Sequence, residues 1–214
     1  MYTFFDRNDQ SLSLRPEATA GIIRSGIDQG FFYNQTQKLW SIGSMYRYER
    51  PQKGRYRQFH QINMEAFGFQ GPDIDFEMIL LTRRIWKALN LSSLKLELNS
   101  LGSPESRKEY KRQLQDYFND HKQELDEDSL KRLDRNPLRI LDSKNTDLQT
   151  LIASAPKMIN FLDQESNEHF EGLKAMLQDH AIEYSLNTRL VRGLDYYTRT
   201  VFEWTTDKLG AQAT

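Results

Sequence analysis

The fold is best predicted from residues 45–61, which read MYRYERPQKGRYRQFHQ. Alternating side chains on either side of it predict two strands, Trp40–Glu49 and Phe59–Phe67. The intervening residues, 50–58, contain proline and glycine and are typical of a loop. We therefore expect a hairpin of two strands joined by a long basic loop.

The pattern extends outward from this hairpin in both directions. Before it we expect a short hairpin (residues 2–5 and 11–14) and a helix (19–32), and after it a helix (73–89) and a strand (94–98). Further on we expect helices that begin at Ser103-Pro104, that span 147–162 with an interruption at Pro156, and that span 166–180. These elements predict a mixed core in residues 1–99, a mostly helical insertion in 100–182 and a continuation of the core in 183–214.

Composition narrows the class of protein before any motif is considered. The 214 residues carry a formal net charge of -1, with 12% aromatic residues and no cysteine. Disulfides and thiolate metal sites are therefore excluded, and an overall basic nucleic-acid binder is not indicated. No apolar run approaches the roughly 20 residues of a membrane helix, and the N-terminus does not have the pattern of a signal peptide. We expect a cytoplasmic globular protein without membrane association.

Charged side chains of the predicted hairpin suggest a ligand with both signs of charge. Met45, Arg47 and Glu49 would share one face of the first strand; those sharing a face of the second are Phe59, Gln61, Asn63, Glu65 and Phe67. Arginine suits a carboxylate or a phosphate, and a glutamate accepts from an ammonium group. An amino acid has both groups, and ATP supplies phosphates. Ordinary cross-strand ion pairs on a solvated face would give the same pattern, and the residues favour neither interpretation.

Two further segments carry potential chemistry. The loop has four cations around Tyr56, a pattern suited to phosphates or an unpaired nucleotide end, although a solvated mobile loop is the simpler interpretation; the cations are Arg50, Lys53, Arg55 and Arg57. Residues 190–204 predict an Arg-Gly turn that enters a strand with two adjacent tyrosines, Tyr196 and Tyr197. Adjacent strand residues face opposite sides, so these tyrosines should differ in role.

Three segments together resemble the bacterial histidyl-tRNA synthetases, a family of class II aminoacyl-tRNA synthetases. They are LRPEATAG (14–21), the stretch 45–61, which is similar to motif 2 of the class, and LVRGLDYY (190–197), which is similar to a histidine-specific motif. The resemblance extends over essentially the whole chain. It implies an α+β fold, a partial class II antiparallel-sheet core with helices, interrupted by the helical insertion.

The resemblance also implies a role for each matched residue. The histidine-binding residues would be Glu17, Ala18, Thr19, Arg47, Gln61, Glu65, Arg192, Tyr196 and Tyr197. The ATP-binding residues would be Arg47, Glu49, Arg55 and Phe59, the last stacked on adenine. The tRNA acceptor end would meet Gln52, Lys53, Arg55 and Arg57. Arg47 and Arg192 would be catalytic, on opposite sides of the reacting phosphate.

The implied activity is that of a histidine–tRNA ligase. Histidine and ATP would give histidyl-adenylate, with Mg²⁺ bridging the ATP phosphates and no metal held by the protein alone, and the histidyl group would pass to the 3′ end of tRNA(His). The full-length parent would be a homodimer. Compared with the family, motif 1, motif 3 and the anticodon-binding domain are missing, so we expect little or no aminoacylation from these residues alone. Ala18 and Ala213 stand where the family usually has glycine.

Two other functions stay open. One is that of a histidine-sensing regulatory paralogue of ATP phosphoribosyltransferase, which shares this core and does not charge tRNA. The other is that of a nucleic-acid-binding module that uses the basic loop without catalysis.

Overall fold

The computed structural model describes residues 1–52, 54–191 and 197–208, which form two units. Unit 1 contains residues 1–81 together with 207 and 208, and unit 2 contains the described residues between 82 and 206. The mixture of helices and mainly antiparallel strand pairs confirms the predicted α+β class. In the described part of the chain, no helix combines the length and the apolar character needed to cross a membrane.

Unit 1 is built from two antiparallel hairpins and a helix. Its elements are β1 (Thr3–Phe5), β2 (Ser11–Ser13), α1 (Thr19–Asp28), β3 (Gln37–Tyr46), β4 (Gln58–Phe67) and the first part of α2 (Pro72–Ala88). β3 and β4 pair over ten residues each, from Gln37 opposite Phe67 to Tyr46 opposite Gln58. Both predicted hairpins are therefore confirmed.

Unit 2 combines a small sheet with a helical region. Its elements are the rest of α2, β5 (Lys95–Ser100), α3 (Pro104–Asp120), α4 (Glu127–Arg135), α5 (Gln149–Ser154), α6 (Gln164–Asp179), β6 (Ser185–Leu186) and β7 (Thr200–Thr205). Short 3₁₀ helices lie at Lys122–Glu124, Pro137–Ile140, Thr146–Leu148 and Met158–Phe161. β5 is the central strand, antiparallel to β7 and parallel to β6.

Apolar side chains at helical spacing form the core of unit 2. Tyr110, Leu114 and Phe118, four residues apart on α3, are all buried. They pack with side chains of α4, α5 and the intervening turns. The phenol of Tyr110 donates to the Pro156 carbonyl at 3.0 Å, and burial raises the pKa of that phenol. These periodic residues therefore pack the core, as their spacing predicts.

Three predicted boundaries differ from the structure, and the first is the end of β3. β3 ends at Tyr46 rather than at Glu49, because the Glu49 N–H bonds to the Arg47 carbonyl at 3.0 Å and turns the chain out of the ladder. Arg47 and Glu49 are therefore loop residues. By contrast, the interruption predicted at Pro156 is confirmed: α5 ends at Ser154 and Ala155 is extended, because a proline disfavours helical backbone in the residue before it.

The first helix ends earlier than its periodicity predicts. α1 stops at Asp28, and Gly30 adopts a φ of 69°. The N–H groups of Gly30 and Phe31 bond back to the carbonyls of Ile27 and Gly26, which closes the helix end as glycine-terminated helices usually do.

The start of β7 also differs from the prediction. The strand begins at Thr200, so Tyr197 precedes it rather than lying on it. Tyr196 falls outside the described residues.

Helices α3 and α6 begin at one shared network of hydrogen bonds. Ser103 caps α3 by accepting from the Ser106 N–H at 3.1 Å, and Asp163 caps α6 by accepting from the Ser166 N–H at 2.8 Å. The Ser106 hydroxyl joins the two caps by donating to Asp163 at 2.8 Å. Hydrogen bonds from Ser103, the Ser166 backbone and Ser106 lower the pKa of the Asp163 carboxyl.

This network predicts a pH-dependent stability contribution. We expect Asp163→Asn to lower the free energy of unfolding by about 1 kcal/mol near pH 7, because asparagine can still cap α6 but lacks the negative charge at the helix N-terminus and the second oxygen that accepts from Ser106. Because the folded-state pKa is lowered, the deficit should shrink as the pH falls below the ordinary aspartate pKa of about 3.9, where unfolded Asp163 binds a proton. Urea unfolding of the wild type and of Asp163→Asn, from about pH 7 to below about pH 3.9, measures this difference in unfolding free energy. Asp179→Asn, at the exposed C-terminal end of α6, is the control, and an equal deficit there would contradict the role of the cap.

Candidate functional site

The β3–β4 hairpin has one polar face and one apolar face. On the polar face Ser41 lies opposite Asn63, and Gly43 lies opposite Gln61. Trp40, Ile42 and Ile62 lie on the other face and are largely exposed. Because strand side chains alternate, β4 brings Phe59, Gln61, Asn63 and Glu65 to one side, as the sequence predicts.

A cluster of polar side chains joins the start of α1 to β4. The Thr19 hydroxyl donates to Glu65 Oε1 at 2.6 Å. The Asn63 amide nitrogen lies 3.3 Å from Glu65 Oε1 and 3.5 Å from Thr19 Oγ1. In the part of the chain that the structure describes, Glu65 forms no ion pair, so only neutral donors face its carboxylate. Gln61 Oε1 and Asn63 Oδ1 are buried acceptors without a hydrogen-bond partner. This acceptor cluster suits a cation with several N–H donors.

The loop before α1 is fastened to the end of β3. The Arg15 carbonyl accepts from the Tyr46 N–H, and the Arg15 side chain donates Nε–H to the Ser44 carbonyl, both at 2.9 Å. Arg47 donates its own Nε–H to the Pro16 carbonyl at 2.9 Å. Glu17, next in the loop, accepts from the Ala20 N–H at 3.1 Å and so caps the first turn of α1. These contacts hold Glu17 and Thr19 beside β3 and β4.

Arginines and aromatic rings alternate beyond the end of β3. The guanidinium of Arg47 lies 4.8 Å from the centre of the Phe59 ring. Arg57 lies 5.1 Å from the centre of the Tyr48 ring and donates Nε–H to the Glu49 carbonyl at 3.0 Å. Such planar cations over rings are suited to holding phosphates next to a stacked base.

The loop itself is closed by local contacts. Arg55 pairs with Glu49 at 2.9 Å, and Gln52 and Arg55 exchange backbone hydrogen bonds at 2.9 and 3.2 Å. Gln52 and Arg57 are exposed. Lys53, also predicted to meet the tRNA, lies outside the described residues.

Unit 1 brings most of the predicted site residues together. Contacts run from Glu65 through Thr19 and the loop to Arg47 and Phe59. Ala18 is buried between Glu17 and Thr19 in that loop. Two residues escaped the sequence-based assignment of roles. Asn63 lies between Gln61 and Glu65 on the same face of β4, and the alternation along this strand could have indicated that it belongs to the cluster. No sequence signal points to Arg15, whose contacts are non-local.

The predicted site residues of the segment 190–204 are not brought into this cluster by the described part of the structure. Arg192 and Tyr196 lie outside the described residues. Tyr197, in unit 2, is half-buried and packs on a small apolar cluster of Leu101, Leu190 and Val201. This packing gives Tyr197 a structural role, and its predicted contact with an imidazole stays a prediction.

Unit 1 contains a cavity of about 610 Å³. It is lined by residues 13–18, by the first turns of α1, by Phe31 and by residues 39–41 of β3. Its lining includes Glu17 and excludes Gln61 and Glu65. The unpartnered polar atoms of the acceptor cluster therefore lie outside this lining.

Comparison with known proteins identifies the family. The family model described as the class II core domain of tRNA synthetases (G, H, P, S and T) matches residues 2–214. The chain therefore belongs to the class II tRNA synthetase core family. It is 40% identical to a histidyl-tRNA synthetase from Staphylococcus aureus, with a TM-score of 0.76, and the match covers 97% of this chain and 49% of that one. The predicted resemblance is thus confirmed, and the chain spans about half the length of that relative.

More distant structures share the fold alone. An ATP phosphoribosyltransferase regulatory subunit/histidyl-tRNA synthetase from Bacillus halodurans is 20% identical, with a TM-score of 0.63, and the match covers 98% of this chain and 58% of that one. An ATP phosphoribosyl transferase complex from Thermotoga maritima gives 14% identity and a TM-score of 0.55, and the match covers 98% and 77% of the two chains. The same fold therefore occurs in proteins with a different described activity.

The fastening of the loop predicts the effect of adding one methyl group. A Cβ at Gly43 would lie 2.3 Å from Arg15 Nη2, so Gly43→Ala displaces the Arg15 side chain from the Ser44 carbonyl. We expect a loss of about 1 kcal/mol in unfolding free energy, since one hydrogen bond is lost, and faster hydrogen exchange at the Tyr46 amide.

The matched control for this prediction is Gly21→Ala in α1. A Cβ there would meet no atom within 4 Å outside its own helix backbone and chain neighbours. The change should leave exchange at Tyr46 unaltered and raise the unfolding free energy by roughly 0.5–1 kcal/mol. Equal exchange rates in the two variants would show that Arg15 does not fasten the loop.

Proposed function

We propose that this chain carries the amino-acid activation site of a histidine–tRNA ligase. One observation carries the proposal: the carboxylate of Glu65 and the side chain of Arg47 contact the same short segment, residues 15–19, at Thr19 and at Pro16. Identity of 40% with a histidyl-tRNA synthetase over nearly all of the chain supports this particular amino acid. The residue roles follow from the resemblance and from these contacts.

The histidine ammonium group would bind at the acceptor cluster. Glu65 supplies the negative charge, and Gln61 Oε1 supplies a buried neutral acceptor. Glu17 and Thr19 border the same position from the loop and the helix. The carboxylate of the amino acid would then face Arg47, whose terminal nitrogens carry the donors that suit it.

ATP would bind along the arginine–aromatic segment. Phe59 offers its ring for stacking adenine, and Glu49 and Arg55 form the ion pair next to it. The histidine carboxylate oxygen attacks the α-phosphorus, forms the acyl-phosphate bond and releases pyrophosphate. Arg47, and Arg192 by resemblance, would stabilise the charge that grows on the non-bridging oxygens. Tyr196 and Tyr197 would contact the imidazole.

Mg²⁺ would accompany ATP rather than occupy a protein-built cage. Among the described residues there is no cluster of three or more histidine, aspartate or glutamate side chains that could hold a metal ion. Mg²⁺ commonly binds substrate phosphates, waters and one or two carboxylates.

The remaining parts of the proposal concern the whole protein. The exposed basic loop would meet the acceptor end of tRNA(His), the parent would be a homodimer, and the reaction would take place in the cytoplasm. We also propose the division into a catalytic core (1–99 and 183–214) and an inserted helical domain (100–182). The chain covers 49% of the Staphylococcus aureus relative, so turnover by these residues alone should stay far below that of an intact synthetase.

Histidine binding tests the proposed activity. We expect isothermal calorimetry to show L-histidine binding to the chain, with Glu65→Gln weakening it about tenfold or more, since a charge-assisted hydrogen bond contributes about 1.5–3 kcal/mol. The control is Glu77→Gln, which removes a surface carboxylate paired with Lys38 in the same unit. A chain that binds no histidine, or equal affinity in the two variants, would refute the assignment.

The regulatory paralogue remains the second candidate, favoured by the shared fold of the Bacillus halodurans and Thermotoga maritima structures. Both candidate functions involve histidine binding, so the reaction of histidine with ATP is what distinguishes them. Formation of histidyl-adenylate, read in a single turnover with labelled ATP, supports the ligase. Histidine-dependent stimulation of an ATP phosphoribosyltransferase without adenylate supports the paralogue.

The basic loop predicts a change in salt dependence. Binding of a tRNA(His) transcript should weaken linearly with the logarithm of salt concentration, and Arg57→Ala should reduce that slope by about 1 if the side chain contacts a phosphate. Arg24→Ala, an exposed cation on α1, serves as the comparison. An unchanged slope for Arg57→Ala would remove it from the RNA contact. RNA binding without histidine affinity would instead favour the nucleic-acid-binding module.

A further inference from the structure

Glycine at position 43 leaves a space on the polar face of β3 that the side chain of Arg15 occupies. A Cβ at Gly43 would overlap Arg15 Nη2 and would lie 3.4 Å from Cζ. Because strand side chains alternate and Gly43 lies opposite Gln61, the guanidinium rests on the face that carries the polar cluster. A residue with any side chain at position 43 would therefore force the arginine out of this space.

Arg15 contacts two backbone groups on one edge of β3. Its carbonyl accepts from the Tyr46 N–H, and its Nε–H donates to the Ser44 carbonyl, both at 2.9 Å. Backbone groups of residues two apart point to the same side of a strand, so one residue can bind both. Since one bond uses the main chain and the other uses the side chain, the two together fix the position and the orientation of the chain at residue 15.

A short and stiff segment connects Arg15 to the polar cluster. Pro16 follows directly, and its ring fixes φ. Glu17 comes next and caps the first turn of α1, and the Thr19 hydroxyl donates to Glu65 at 2.6 Å. A displacement at residue 15 is therefore passed to Glu17 and Thr19 through few rotatable bonds.

We infer that Arg15 is a positioning residue of the amino-acid site and that it acts through its place over Gly43. With its side chain across this glycine, Arg15 sets the path of residues 15–19. That path sets the places of Glu17 and Thr19, which would meet the substrate. The inference rests on the proposed function and adds to it two residues to which the sequence assigned no role.

The test is a double-mutant cycle of Arg15→Ala and Gly43→Ala, measured by calorimetry of L-histidine binding to the whole chain. The first change removes the side chain, and the second displaces it. We expect each single variant to bind histidine about fivefold more weakly, the factor that corresponds to the net contribution of one hydrogen bond. The double variant should bind as Arg15→Ala does, because no guanidinium is left for the added methyl group to displace.

Hydrogen exchange gives a second measurement, which reports on the loop rather than on the ligand. The Ala20 N–H donates to the Glu17 carboxylate at 3.1 Å. We expect this amide to exchange faster in both single variants, because Glu17 is held less firmly. An unchanged exchange rate at Ala20 would show that the effect of Arg15 does not reach Glu17, and would overturn the inference.

Asp6→Ala is the control for a loss of stability alone. The Asp6 carboxylate accepts from the N–H groups of Asn8 and Gln10, at 2.8 and 2.9 Å, in the turn between β1 and β2. Its removal should lower the unfolding free energy of the same unit and leave histidine affinity unchanged. Equal weakening of histidine binding by Asp6→Ala would mean that Arg15 only supports the fold.

Two further results would overturn the inference while the proposed function stands. One is an Arg15→Ala variant that binds histidine as the wild type does. The other is a double variant whose loss in affinity is the product of the two single losses, since the two positions would then act independently. Arg15→Met replaces the alanine variant if circular dichroism shows that the latter does not fold. If the wild-type chain binds no histidine, the proposed function fails together with the inference.

Discussion

The candidate site depends on the fastening of one loop to one strand end. Three hydrogen bonds at 2.9 Å join Arg15, Pro16 and Arg47 to the backbone or side chains around Tyr46. All three end on backbone carbonyls, so they fix the path of the chain rather than one side-chain rotamer. That path places Thr19 at the start of α1 against Glu65, 46 residues further along the chain. Without these hydrogen bonds, the polar side chains of β4 and the guanidinium of Arg47 would not be held next to the same loop.

The two faces of the β3–β4 hairpin differ in polarity, and the polar face carries the candidate site. The polar face collects neutral amides and a carboxylate whose charge is met only by neutral donors in the described residues. Burying such groups without partners costs free energy, and a purely structural strand would place apolar side chains there. The unsatisfied oxygens of Gln61 and Asn63 support the proposed binding of a charged ligand on this face.

Unit 2 is stabilised by apolar packing and by helix caps. Its helices bury residues spaced four apart, and the joint cap at Ser106 and Asp163 fixes where α3 and α6 begin. Tyr197 packs into an apolar cluster there, although it belongs to a segment whose motif resembles a histidine-specific one. Motif membership alone thus does not distinguish a residue that touches substrate from one that packs beside it.

Features that depend on neighbouring residues can be predicted from the amino-acid sequence. Alternation gave the two strands and the shared face of Gln61 and Glu65, and Ser103 with Pro104 marked a helix start, because these signals act within a few residues. The end of β3 at Tyr46, the contact of Thr19 with Glu65 and the unpartnered oxygen of Asn63 are seen only in the folded chain. These depend on hydrogen bonds between segments far apart in the chain, and no local propensity encodes such partners.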